Sequence, residues 1–168
     1  LNAANSDDVS GVTLTGATSI TVGNGETVTV SIAQASLVSA SGSGAYNVKD
    51  TLANIISESG GGSAILNGAA AISVTFASGT EVATLTGLSA SAAPTAINFG
   101  DDAATLTLAE FNALAGASIA LTTADTVTLD AANSDDVSGI TLTGVDSITV
   151  GNGETVTVSI AQKSLVNA

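Results

Sequence analysis

The residues best equipped for chemistry are three adjacent acid pairs, Asp7–Asp8, Asp101–Asp102 and Asp135–Asp136. Paired carboxylates can cleave glycosides, one acting as acid and the other as base or nucleophile. They can also hold a hard cation, which takes oxygens from carboxylates, carbonyls and amide side chains gathered in one turn. The rest of the chain does little for catalysis. It has no His and no Cys, so nucleophile–base chemistry lacks its usual partners. Neither Lys49 nor Lys163 follows a glycine, as a phosphate-cradling loop requires. Gly42-Ser43-Gly44 reads as a flexible loop, not as a nucleophile on a strand–turn–helix bend. The chain is therefore expected not to be an enzyme. Calcium is the better use of the aspartates: Asn5-Ser6-Asp7-Asp8, its copy at Asn133–Asp136, and Asp101-Asp102 each gather oxygens, although no EF-hand spacing is present. The competing reading is plain exposed acid that keeps a long polymer in solution and blunts strand edges.

Charge narrows the partners. Fifteen carboxylates face two lysines, a formal net charge of −13. Binding to nucleic acid needs clustered Lys and Arg to displace counterions, so nucleic acid is excluded, and an anionic membrane surface is disfavoured on the same ground. The most apolar window, 65–76, is broken by Asn67, Gly68 and Ser73 and is too short for a membrane-spanning helix. No membrane insertion is expected. Apolar residues still make up 45% of the chain, which argues for order over disorder. The chain starts at Leu1 with no Met and no leader, so its ends are not expected to be natural ends.

The elements that position the acids belong to a repeat. Residues 1–40 return at 129–168 with 34 of 40 positions identical, a period of 128. We divide the chain into one full period, 1–128, and the continuous start of the next, 129–168. Val12/Ile140 keeps an apolar residue, whereas Ala17/Val145, Thr18/Asp146 and Ala35/Lys163 look like tolerant positions. Asp130 and Asp146, acidic only in the second copy, read as surface substitutions. Looser copies of one motif start near 19, 73, 96 and 147. Repeats at fixed spacing are the mark of arrays and stacked architectures.

Each motif reads as strand, turn, strand, short helix. Thr27 to Val30 and Thr126 to Leu129 alternate strictly, which puts Thr on one face and Val or Leu on the other. Gly23-Asn24-Gly25 suits a sharp turn. Ser31/Gln34, Thr107/Glu110 and Ser159/Gln162 carry the reciprocal capping spacing of a helix start. Leu108, Phe111 and Leu114 share a helical face before Gly116, and Asp50 or Thr51 can cap a helix burying Leu52, Ile55 and Ile56. Aromatics are only Tyr46, Phe76, Phe99 and Phe111, so a narrow core of small side chains is expected. Strands this short hide an apolar face only by stacking. The expected fold is all-β with short helices, a parallel β-solenoid or β-helix of imperfect repeats; the alternative is a tandem array of β-sandwiches.

With its Thr/Ala/Gly/Val/Ser texture and the segments 19–34, 47–55 and 105–114 recurring in style, the chain resembles the strand repeats of very large bacterial secreted proteins. These are type I-secreted adhesins and S-layer proteins of the calcium-dependent RTX type. The resemblance implies secretion, a bacterial cell-surface location and, often, calcium. The RTX nonapeptide is absent, since Gly60-Gly61-Gly62 runs into Ser63-Ala64 without an aspartate. The expected role is a structural segment, an adhesin stalk, S-layer or filament module, whose partners are neighbouring copies of itself and adjoining repeats. The alternative is an ice- or carbohydrate-binding face built from Thr13-Leu14-Thr15, Thr84-Leu85-Thr86, Thr105-Leu106-Thr107 and Thr141-Leu142-Thr143.

Overall fold

A computed structural model describes residues 1–59, 63–76, 82–86, 96–100, 103–122 and 126–167. The first copy builds β1 (Asn2–Ala3), β2 (Ile20–Val22), β3 (Thr27–Val30), α1 (Ile32–Ala35) and β4 (Val38–Ala40). The stretch after it holds β5 (Ala45–Thr51), α2 (Leu52–Ser59), α3 (Ala64–Gly68), β6 (Ile72–Thr75), β7 (Val82–Thr86), β8 (Ala96–Asn98), β9 (Ala103–Thr107), α4 (Leu108–Gly116) and β10 (Ala120–Leu121). The second copy adds β11 (Thr126–Ala131), β12 (Ser147–Val150), a 3-10 turn at Lys163–Leu165 and β13 (Val166–Asn167). β11 runs unbroken across the boundary at residue 129.

Local chemistry explains these elements. In β3 the alternation buries Val28 and Val30 completely and leaves Thr27 and Thr29 half-buried. The turn before it needs Gly25, whose φ is +78°. α4 starts on a reciprocal cap: Thr107 Oγ1 accepts the Glu110 N–H, and Glu110 Oε2 accepts the Thr107 N–H at 2.9 Å. It buries Phe111 and Leu114. α2 buries Leu52 and Ile55, and Asp50 Oδ1 accepts from the Asn54 amide at 2.7 Å at its start.

Three sheets result, ordered β1-β2-β4, β10-β8-β7-β6-β5-β3 and β13-β12-β11-β9. In the two copies successive strands pair in parallel at offsets of 18 or 19 residues, as in Asn2 with Thr21, Ile20 with Val38 and Thr128 with Ser147.

This architecture corrects the expected fold class, an all-β parallel β-solenoid. Helix takes 20% and strand 37%, and the six-stranded sheet is mixed. Within it, β6 pairs with β7 and β7 with β8 antiparallel. The cause lies in the connections. Six residues separate β6 from β7, and a parallel return needs a crossover of a dozen or more, so the chain folds straight back. The motif copy starting near 73 is thus a reversal in strand direction and not a further parallel step. The β-sandwich alternative fails too, because eight of the ten strand pairs among the described residues are parallel, whereas such sandwiches are antiparallel.

Two apolar clusters form. The larger runs from Val48 to Ile148 and takes in β5 through β12. The smaller belongs to the first copy: Ala3, Ile20, Val22, Val28, Val30 and Ala35. Tyr46 and Ile65 pack against both.

Candidate functional site

The acid-bearing turn is built the same way twice. Asn5 Oδ1 accepts the Thr27 N–H at 3.0 Å, and the Ser6 N–H donates to the Thr27 carbonyl at 2.7 Å. Ser6 sits at φ +68°, which points the next two residues back toward the chain. Asp7 Oδ2 then accepts the Ala4 N–H at 2.8 Å. Asp8 Oδ1 accepts the Ser10 N–H at 3.0 Å and its hydroxyl at 2.6 Å. In the second copy Asn133 accepts from Thr155 at 3.0 Å, Ser134 has φ +71°, Asp135 accepts from Ala132 at 2.9 Å, and Asp136 accepts from the Ser138 N–H at 3.0 Å and hydroxyl at 2.7 Å.

These carboxylates anchor turns. Each takes a backbone N–H two or three residues away, the local bonding that favours Asp and Asn in turns. Asp8 also pairs with Lys49 at 3.0 Å. Burial pushes the Asp8 carboxyl up, but the bonds from Ser10 and Lys49 outweigh it and hold the group below its ordinary value. The two bonds from Ser138 hold Asp136 low as well. Among the described residues no three His, Cys, Asp or Glu side chains converge as a metal would need. The described pairs therefore assemble no calcium donor set; Asp101 and Asp102 lie outside the described residues.

Other functional positions carry weaker sequence signals. Gln34 and Gln162 match the expected capping spacing, and the Ser31 and Ser159 N–H groups do donate to their Oε1 atoms at 2.9 and 2.8 Å. Their larger role is long-range. Gln34 Nε2 donates to the Val9 and Val12 carbonyls, and Gln162 Nε2 to those of Val137 and Ile140, all at 2.8 Å. One nearly buried amide thus ties the acid turn to the strand that follows. Asp146 is more than a surface substitution: its Oδ2 accepts the Val127 N–H at 2.8 Å and holds β11. Asp130, Asp135 and Glu154 line an open depression beside Thr107 and Asn112.

The Thr-x-Thr motifs do not align. Those at 13–15 and 141–143 lie outside strands, and those at 84–86 and 105–107 fall in different sheets. No helix among the described residues is long and apolar enough to cross a membrane. Compared with known proteins, the chain matches no family model, no curated protein and no solved structure.

Proposed function

We propose that this chain is a repeat segment of an extracellular bacterial surface protein, such as an adhesin stalk, S-layer or filament, and that it acts as a spacer and assembly module, not as an enzyme. One observation carries the reading. Six side-chain bonds of the first copy recur 128 residues later between equivalent atoms, with lengths within 0.2 Å. They recur although the two copies have different neighbours. A unit that folds by its own local bonds, whatever lies next to it, can be repeated at will, and this is what an extensible array requires. The excess of exposed acid serves such an array by keeping it from collapsing on itself. Its partners on this reading are adjoining repeats and other copies of the chain.

The reading is tested by joining one, two and three 128-residue periods and measuring small-angle scattering. The expected result is a maximum dimension that grows by a constant step per period. Growth as the cube root of mass, the mark of one merged globule, sinks the proposal.

A further inference from the structure

The second copy presents an open strand edge, and the first copy shows what covers that edge. There, β3 is flanked in parallel by β5, with Thr27 opposite Ala45 and Val30 opposite Val48. Polar contacts fix the register. The Ala45 N–H donates to the Glu26 carbonyl at 2.9 Å, and the Ser43 N–H to Asn24 Oδ1 at 2.9 Å. Asp50 Oδ2 accepts the Ile32 N–H at 2.9 Å, and Lys49 pairs with Asp8. The second copy has the same groups in the same order, at Glu154, Asn152, Ile160 and Asp136. No described strand flanks 155–158 on that side.

Burial records the difference. Val28 and Val30 are fully buried, while Val156 and Val158 are half-buried. Ile32 packs against the main cluster, whereas Ile160 is 96% exposed. The sequences here are identical, so only the missing cover separates them.

We propose that the edge 155–160 is an acceptor for a parallel strand and its following helix, and that the occupant is Ser43–Ser59 of a second copy of this chain. The proposal rests on the reading of the chain as an assembly module and names the surface it uses. A donor is at hand, because the first copy keeps its own apolar cluster and can separate from β5. The acceptor differs from the segment it replaces at only six of 40 positions, so intermolecular contacts replace near-identical intramolecular ones. Such a contact joins unlike surfaces and propagates head to tail. Because contacts are exchanged and few are added, association is weak and rises with concentration.

A synthetic peptide of residues 41–59 titrated into the full chain, with hydrogen exchange read residue by residue, tests this. Saturable slowing of exchange at 155–160 is expected. Ile160→Ser, at an exposed position, should leave the free chain's stability unchanged and weaken peptide binding at least about fivefold, as for loss of an interface anchor. A Lys49→Ala peptide should bind about two- to fivefold more weakly, the worth of an exposed ion pair. Absence of slowing at 155–160 up to millimolar peptide, or equal slowing by a scrambled peptide, overturns the proposal. The concatemer scattering uses no peptide, so the two readings fail separately.

Discussion

The two 40-residue copies are an internal controlled comparison: nearly one sequence in two surroundings. At the turns nothing changes, because every bond there is made within the copy. At the faces everything depends on the neighbour. Leu1 is 52% exposed where Leu129, beside β9, is fully buried. The short helix α1 forms in the first copy, where Asp50 caps the Ile32 N–H, while the matching residues of the second copy make only turns and a 3-10 segment. A four-residue helix is too short to hold itself, so a carboxylate from the next strand decides whether it exists. Identical residues therefore specify the turn outright and the helix only conditionally.

The largest effects should be equal in both copies. Ile20 and Ile148 are fully buried, so each change to Ala should cost about 2–5 kcal/mol; denaturant unfolding with exchange resolved by copy reads this, and a clear inequality breaks the comparison. Next, Gln34→Leu and Gln162→Leu each strip two carbonyls of their donor and should each cost about 1–3 kcal/mol. The faces should then split the copies. Val28→Ala should cost about 2 kcal/mol and Val156→Ala about half that, since the second is already partly wet. Smallest is Lys49→Ala, about 0.5 kcal/mol for a partly exposed pair, and the loss should shrink in high salt.

Acid sharpens the same contrast. Asp8 and Asp136 both sit below their ordinary value in the folded chain. A depressed carboxyl adds stability that is present above the unfolded pKa, about 3.9, and is lost as pH falls through the folded one. Stability should therefore decline below about pH 4. Asp8→Asn should flatten that decline in the first copy alone, as read by exchange in acid.

Much of this was legible from residues. The repeat, the alternation of β3 and β11, the turn at Gly25 and the cap of α4 follow from local spacing, and the structure keeps them. Strand direction in the middle was not legible, because Ile72–Thr75 and Val82–Thr86 carry the same pattern as the parallel strands. Only the length of their connection separates a hairpin from a crossover. The aspartates were visible but open to two uses; their backbone partners lie two or three residues away, and composition does not distinguish such a turn from a cation cradle. The reach of Gln34 to Val9 and Val12 crosses 25 and 22 residues with no periodic trace. The unequal burial of the copies has no sequence signature at all, since it is imposed from outside.

Tyr46 is the chain's only tyrosine, and there is no Trp. Its hydroxyl donates to the Ile65 carbonyl at 2.8 Å, and burial pushes its ionisation above the ordinary value. Because the ring touches both apolar clusters, the molecule's whole near-ultraviolet emission originates at the seam between them. Parting of the N-terminal segment from the remainder is thus optically self-reporting: intensity and alkaline titration would change together, with no dye attached.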